Sequence, residues 1–281
     1  MSVTVFESIT SVRTWEQEMH LAGKVIGFVP TMGALHPGHI SLINKAKEVC
    51  DVVIVSIFVN PTQFNNLDDL KKYPRTLVED LQLLNQSTCD VVFFPTFEEI
   101  YPKPLKRRWD FGLLSSSLEG YYRPGHFDGV LTVVKRFFEI VCPDHAYFGE
   151  KDFQQLSLIR AMASKEGLPI TVIGCPIIRE SDGLAMSSRN TRLNKHERRV
   201  AANISQVLFN IKEKGKQQSP VTLEQEAMSM LCAIEGISLE YLKIVDADNF
   251  TPLTSWNDSS NPIALVAAFV GDVRLIDNIL L

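Results

Sequence analysis

The chain has 281 residues, of which 45% are hydrophobic, and its formal net charge at pH 7 is −5. This length and hydrophobic content are enough to bury one large core or the cores of two unequal domains. The acidic balance argues against a broad nucleic-acid-binding surface, but a local site for a small anion remains compatible with it.

Short apolar runs alternate with helical patterns in the first part of the chain. The runs are nearly continuous in apolarity, which is typical of parallel strands that are covered on both faces. Strands are predicted at residues 25–29, 52–59, 91–94, 146–148 and 170–173, and helices at residues 39–49, 77–84, 131–141 and 153–166. This alternation predicts an α/β fold with a Rossmann-like, doubly wound parallel sheet.

The pattern changes after the last of these strands. Residues 176–190 indicate a hinge or an ordered loop, and a strong helix follows. Asn194 is its predicted N-cap, Glu197 completes a capping box, and Gly215 is its predicted end. A second helix is predicted to begin near Thr222, again with a capping pattern.

Two apolar runs of strand length, at residues 239–245 and 263–270, complete the C-terminal part. We therefore predict two domains. Residues 1–176 would form the Rossmann-like domain. Residues 177–281 would form a smaller C-terminal α+β domain.

The five cysteines lie in or beside apolar runs, and no CxxC pair occurs. This usage is typical of reduced, buried cysteines in a cytoplasmic protein. The first 13 residues contain no apolar signal core, and no apolar run is long enough to cross a bilayer. We therefore expect a cytoplasmic protein with no membrane or nucleic-acid partner.

Polar clusters follow three of the predicted strands directly. They are residues 30–33, 60–63 and 149–152. Ligands in open parallel sheets bind outside the carboxyl ends of the strands. We expect these clusters to face one crevice despite their separation in sequence.

The cluster His36-Pro37-Gly38-His39 opens a predicted helix. Unpaired backbone N–H groups and the helix dipole favour phosphate at such a position. The two histidines are three residues apart and share a face of the helix. A zinc pair, or a capping histidine beside a surface histidine, are the alternatives that the spacing leaves open.

Two further clusters carry groups that suit a nucleotide. Ser187, Ser188 and Arg189 supply two hydroxyls and a guanidinium for a polyphosphate. Lys151 can neutralise a phosphate, and Asp152 can accept hydrogen bonds from ribose hydroxyls. The alternatives are a solvated turn for the first cluster and an exposed turn, with Asp152 as a helix cap, for the second. Together the clusters predict a site that activates a substrate with ATP.

Several stretches carry a resemblance to a known family. They are VPTMGALHPGH (29–39), SIFVNPTQF (56–64), YPRT (73–76), RPGHF (123–127), YFGEKDFQQL (147–156) and MSSRN (186–190). On these residues the chain resembles the pantothenate synthetase (pantoate–β-alanine ligase) family, within the class I aminoacyl-tRNA-synthetase-like nucleotidyltransferase group. Pro37 and Arg189 stand where the wider group often has Ile and Lys, and neither change removes a hydrogen-bond donor.

The resemblance implies a reaction and its reactants. The expected reaction is the ATP-dependent condensation of (R)-pantoate with β-alanine to pantothenate, AMP and diphosphate through a pantoyl-adenylate. The expected cofactor is Mg²⁺, with ATP as a substrate, and the expected assembly is a homodimer.

The resemblance also assigns residues to the site. It implies that His39, Lys151 and Arg189 are catalytic. It implies ATP contacts from Met32, Gly33, His36, Gly38, His39, Gly149, Lys151, Asp152, Ile178, Met186, Ser187, Ser188 and Arg189. It implies pantoate contacts from Pro30, Met32, Gln63 and Gln155, with Gln63 also near β-alanine. Residues 1–176 would bind ATP and pantoate, and the C-terminal domain, residues 177–281, would act as a lid. The Ser187–Arg189 loop would be the mobile part that grips the triphosphate, with Gly183 as a candidate hinge. Asp80, beside Glu79, is the candidate Mg²⁺ ligand; a helix-surface charge is the alternative.

Three other functions share parts of this pattern. A nucleotidylyltransferase would stop at the adenylylated product and need no β-alanine. A relative of the aminoacyl-tRNA synthetases would carry a basic anticodon-binding module, which this acidic chain lacks. A nucleotide sensor would bind ATP without releasing diphosphate.

Overall fold

A computed structural model describes residues 3–103 and 107–281 of the chain. Their contacts divide them into two compact units. Unit 1 consists of the described residues of Met1–Glu150 together with Gln154–Pro176. Unit 2 consists of Lys151–Phe153 and Ile177–Leu281.

Unit 1 is built on a parallel sheet. Its strands are β1 (Thr4–Phe6), β2 (Ile26–Thr31), β3 (Val52–Ile57), β4 (Val91–Phe93), β5 (His145–Gly149) and β6 (Thr171–Cys175). Within the described residues the strand order is β1-β4-β3-β2-β5-β6, and every neighbouring pair is parallel. The chain winds outward from β2 through β3 and β4, and then continues on the other side through β5 and β6. The predicted doubly wound α/β fold is confirmed.

Helices connect these strands. They are α1 (Ile9–Leu21), α2 (Pro37–Lys47), α3 (Leu67–Lys72), α4 (Leu77–Asn85), α5 (Phe97–Ile100), α6 (Leu113–Ser116), α7 (Glu119–Tyr122), α8 (His126–Val141) and α9 (Phe153–Lys165). Helix α8 begins earlier than predicted, because Gly125 adopts a left-handed φ of 81° and starts the helix at His126. Strand β1 and helix α1 were not predicted.

The sheet is buried on both faces because successive strand residues point in opposite directions. On β2, Phe28 packs into a core with α8 and α9, whereas Val29 packs into a second core with α2. On β5, Phe148 and Tyr147 divide between the two cores in the same way. The near-continuous apolarity of these strands follows from this two-sided burial.

Unit 2 combines helices with an antiparallel sheet. Its elements are α10 (Lys195–Lys214), α11 (Pro220–Cys232), β7 (Ile237–Asp246), β8 (Pro262–Val270) and β9 (Val273–Leu280). In the part of the chain that the structure describes, this sheet has the order β7-β8-β9. Apolar faces of both helices pack on it. Strand β9 was not predicted.

The helix caps test the two capping predictions. Asn194 caps α10 and forms a capping box with Glu197, and Gly215 ends the helix, as predicted. The second prediction was wrong in position. Ser219 caps α11 by accepting a hydrogen bond from the N–H of Thr222, so the helix begins before Thr222.

The cysteines are all free thiols, but they are not all buried as predicted. Cys50 and Cys175 are buried, whereas Cys142 and Cys232 are exposed. Among the helices that the structure describes, none combines the length and the apolar composition needed to cross a membrane.

A substitution of Phe137 on α8 tests how this helix packs against the parallel sheet. Its ring lies edge-on to Phe28, Phe58 and Phe93, at centroid distances of 5.7, 6.0 and 6.1 Å. We expect Phe137→Ala to lower the free energy of unfolding by about 3–5 kcal/mol, because a large cavity replaces these contacts. Urea unfolding measures the change. Leu21→Ala, at a position 89% exposed, is the control, and equal losses in the two variants would contradict the packing described.

Candidate active site

The loop between β2 and α2 is held in an unusual backbone conformation. Gly33 and Ala34 both have left-handed φ angles, of 75° and 48°. The carboxylate of Asp80 on α4 accepts hydrogen bonds from the N–H groups of Ala34 at 2.9 Å and Leu35 at 2.7 Å. These bonds fix the path of the chain into His36.

Asp80 is buried against this loop, with 3% of its surface exposed. Thr76 Oγ1 donates to its Oδ1 at 3.3 Å, and a Cβ on Gly33 would lie 2.9 Å from its Oδ2. Both carboxylate oxygens therefore accept hydrogen bonds from the protein. These bonds give Asp80 a structural role in the loop, and its assignment as a Mg²⁺ ligand stays a prediction. Glu79 is exposed on the helix surface.

His36 and His39 open helix α2 together. His36 is the N-cap, and its Nδ1 accepts from the N–H of Gly38 at 3.2 Å. His39 Nδ1 accepts from the N–H of His36 at 3.2 Å, which completes a capping box. Because each Nδ1 is an acceptor, the proton of each neutral ring is assigned to Nε2, a donor suited to an anion. The ring centroids are 4.0 Å apart.

The turn after β3 carries Gln63. Asn60 is 1% exposed and organises this turn. Its Oδ1 accepts from the N–H of Thr62 at 3.3 Å, and its Nδ2 donates to Gln63 Oε1 at 3.3 Å. Gln63 Nε2 in turn lies 3.1 Å from Met32 Sδ. Two residues predicted to contact pantoate are thus in contact with each other.

Helix α8 supports the same turn. The Nδ1–H of His126 donates to the carbonyl of Gln63 at 2.8 Å. An added Cβ on Gly129 would lie only 2.4 Å from the carbonyl oxygen of Thr62, so the close approach requires glycine. Neither residue was predicted, although His126 lies in the RPGHF stretch that carries the family resemblance.

The two adjacent glutamines of α9 have different environments. Gln154 is 2% exposed, accepts from the N–H of Glu119 at 3.1 Å and donates to two carbonyls near α6. It holds the α6–α7 segment. Gln155, the predicted pantoate ligand, is only partly buried.

Lys151 and Asp152 follow the end of β5 at Gly149 and belong to unit 2. Lys151 Nζ lies 3.5 Å from Asp152 Oδ2, and their side chains are 18% and 46% exposed. The Lys151 carbonyl accepts from Asn278 Nδ2 at 2.9 Å. Unit 2 therefore holds the backbone of the predicted catalytic lysine.

The loop before α10 carries the remaining predicted ATP contacts. The N–H of Met186 donates to the carbonyl of Ile178 at 2.9 Å. Ser187 caps a short 3-10 helix, Ser188–Arg192, and accepts from the N–H of Arg189 at 3.3 Å. The geometry brings these residues into one ordered segment of unit 2.

Gly183 lies in a tight turn of the same loop. Its φ is 92°, and its N–H donates to the carbonyl of Glu180 at 2.9 Å. An added Cβ would lie 3.0 Å from the ring of Phe209. The positive φ and the close ring account for glycine at this turn, and the hinge role of Gly183 stays a prediction.

Ligand-type side chains thus follow β2 and β3 in unit 1, and β2 lies beside β5 where the strand order reverses. This arrangement defines a doubly wound α/β protein in which predicted binding residues lie at the carboxyl edge of the sheet.

Comparison with known proteins identifies the family. A model of the pantoate-beta-alanine ligase family matches residues 4–280. A pantothenate synthetase of Porphyromonas gingivalis is 45% identical over 275 residues, which cover 98% of each chain. One of Phocaeicola vulgatus is 47% identical over 274 residues, which cover 97% of each chain.

Solved structures give the same result. A pantothenate synthetase from Thermus thermophilus has a TM-score of 0.92 at 38% identity, over 99% of both chains. A pantoate-beta-alanine ligase from Francisella tularensis, complexed with β-γ ATP and β-alanine, has a TM-score of 0.83 at 38% identity, over 99% of this chain and 97% of that one. The chain belongs to the pantoate–β-alanine ligase family, and the predicted family and ligase class are confirmed.

The structural role of Asp80 can be tested by an isosteric change. We expect Asp80→Asn to lower the free energy of unfolding by about 1–3 kcal/mol, because one loop N–H loses its buried acceptor. Glu79→Gln, the exposed neighbour, is the matched control and should leave stability unchanged. Urea unfolding of both variants checks this; an Asp80→Asn variant as stable as the control would refute the role.

Proposed function

We propose that the protein condenses (R)-pantoate with β-alanine, using ATP, to form pantothenate, AMP and diphosphate through a pantoyl-adenylate. The observation that carries the proposal is the family match over residues 4–280. The Francisella relative is complexed with β-γ ATP and β-alanine, and we extend both reactants to this chain.

The first step is adenylation. A carboxylate oxygen of pantoate bonds to the α-phosphorus of ATP, while the bond from that phosphorus to the bridging oxygen of diphosphate breaks. His39 would donate to the transferring phosphates through Nε2, aided by the N–H groups at the start of α2. Lys151, Ser187 and Arg189 would offset the negative charge that develops on the phosphates.

Pantoate binding would use neutral groups. Gln63 and Gln155 would bond the hydroxyls and carboxylate of pantoate without adding charge to the oxygen that must attack. Pro30 and Met32 would supply the apolar wall for its methyl groups. The contact between Gln63 and Met32 supports this assignment, because it holds the polar and apolar parts of one surface together.

The second step forms the amide. The neutral amine of β-alanine attacks the acyl carbon of the adenylate, the bond from that carbon to the AMP oxygen breaks, and the amine loses a proton. Gln63 would lie near β-alanine. The lid role of residues 177–281 belongs to this proposal, since water that reached the acyl-adenylate would hydrolyse it. No covalent enzyme intermediate is needed.

Among the described residues, no group of three or more His, Cys, Asp or Glu residues is arranged to hold a metal ion. Mg²⁺ commonly takes one or two carboxylates and completes its shell with phosphate oxygens, so a single ligand such as Asp80 is compatible with the proposal. We propose that Mg²⁺ arrives on the ATP phosphates, whose oxygens it prefers, and no step above is assigned to it.

Assembly and location form a separate part of the proposal. The family resemblance supports a homodimer, and the cysteine usage of the sequence supports the cytoplasm. Sedimentation at several protein concentrations tests the first, since a constant monomer mass would refute the dimer.

Pantoate-dependent exchange of labelled diphosphate into ATP, without β-alanine, tests the adenylation step. We expect His39→Ala and Lys151→Ala to reduce the exchange rate roughly 30- to 1000-fold, the loss typical of one well-placed electrostatic donor. His20→Ala and Lys71→Ala, at partly and largely exposed positions, are the matched controls and should retain the wild-type rate.

Other results would change the proposal. A wild-type rate in His39→Ala or Lys151→Ala would remove that residue from the chemistry. Pantothenate formation without any exchange would favour a concerted route over the adenylate. Repeated diphosphate release in the absence of β-alanine would favour the nucleotidylyltransferase alternative.

A further inference from the structure

The segment Lys151–Phe153 packs with unit 2, although the chain on either side of it belongs to unit 1. The ring of Phe153 lies 6.3 Å from that of Phe250. The carbonyl of Lys151 accepts from the side-chain amide of Asn278, on β9, at 2.9 Å. The path of the backbone at Lys151 is therefore set by a strand far away in sequence.

Asn278 is itself fixed by a buried ion pair. Arg179 donates from Nη1 to Asp277 Oδ2 at 2.6 Å and from Nη2 to Asp277 Oδ1 at 3.0 Å, a two-point contact that sets the orientation of both groups. Arg179 Nη2 also donates to the carbonyl of Asn278 at 3.2 Å, and the N–H of Asn278 donates to Asp277 Oδ1 at 2.7 Å. The side chain of Asp277 is only 2% exposed.

Two opposing effects act on the Asp277 carboxyl of this pair. Burial raises the pKa of the Asp277 carboxyl, while Arg179 and the N–H of Asn278 oppose that rise. A buried pair of this kind is weak evidence for added stability, because desolvation offsets the attraction. Its fixed geometry is the property that the rest of the site can use.

Arg179 also belongs to the loop that carries Ser187–Arg189. It forms an isolated bridge with Ala185, and its Nη1 donates to the carbonyl of Gly183 at 3.0 Å. One guanidinium thus holds the turn of this loop and, through Asp277 and Asn278, the strand that positions Lys151. The whole chain of contacts lies within unit 2.

We infer that Arg179, Asp277 and Asn278 form a positioning network that fixes Lys151 relative to the Ser187–Arg189 loop. Lys151, proposed to contact the α-phosphate, and the Ser187–Arg189 loop, proposed to contact the rest of the triphosphate, are then held in a fixed relative position. The inference rests on the proposed function, because the contact of Lys151 with ATP is part of that proposal. A misplacement of about 1 Å can reduce a rate by about 100-fold, so this fixed position matters for adenylation.

Asn278→Ala tests the network, because it removes the amide that donates to Lys151 and keeps the main chain of β9. Ile279→Ala is the matched control, since Ile279 is the next residue of β9 and packs against the core of unit 2. We expect Asn278→Ala to lower the diphosphate exchange rate about 10- to 100-fold more than the control does, at a similar thermal midpoint. If Asn278→Ala does not fold, Asn278→Ser, which keeps a donor of shorter reach, takes its place in the same comparison.

A double-mutant cycle separates positioning from a general structural role. If Asn278 acts through Lys151, then Asn278→Ala should reduce the exchange rate by no more than about twofold in a Lys151→Ala background. An equal reduction in both backgrounds would overturn the inference, because the effect would not pass through the lysine.

The outcomes distinguish this inference from the proposed function. If the wild-type protein exchanges diphosphate, Lys151→Ala is impaired and Asn278→Ala matches Ile279→Ala, the network is refuted and the function stands. If the wild-type protein supports neither exchange nor pantothenate formation, the proposed function fails and the inference fails with it.

Discussion

The reversal of strand order between β2 and β5 is the constraint on which the proposed site depends. These strands are parallel neighbours, but the chain leaves them toward opposite sides of the sheet. No connection therefore crosses over the carboxyl ends of both strands, and a crevice is left there. Open α/β sheets bind their ligands in such a crevice. The loop to His36 leaves the first strand, and Gly149 leads from the second to Lys151.

Buried polar residues then shape the backbone at this edge. Asp80 and Asn60 are almost fully buried, yet each satisfies its side chain with hydrogen bonds to a loop that carries predicted ligands. A buried polar group that is fully bonded rigidifies its surroundings, whereas one left unpaired is costly. In unit 2, the side-chain amide of Asn278 likewise fixes the backbone at Lys151 by donating to its carbonyl. Residues that need not touch a substrate can therefore fix those proposed to do so.

The features that could be predicted from the sequence are those set by interactions between residues close together in the chain. The apolar strands of the parallel sheet and the capping box of α10 were predicted, because periodicity and caps act over a few residues. Strand β1 is only three residues long and carries little pattern. The role of Asp80 depends on N–H groups 45 and 46 residues away, and Asn278 bonds a residue 127 positions away. No local pattern distinguishes such partners from surface charges or strand residues.

The most direct test of the central claim is a crystal structure of the protein with a non-hydrolysable ATP analogue and (R)-pantoate. We expect His39, Lys151 and Arg189 to contact the phosphates of one bound nucleotide, with pantoate against Gln63 and Met32. A nucleotide whose phosphates bind away from all three side chains would contradict the claim that residues following β2 and β5 and the loop before α10 serve one reaction.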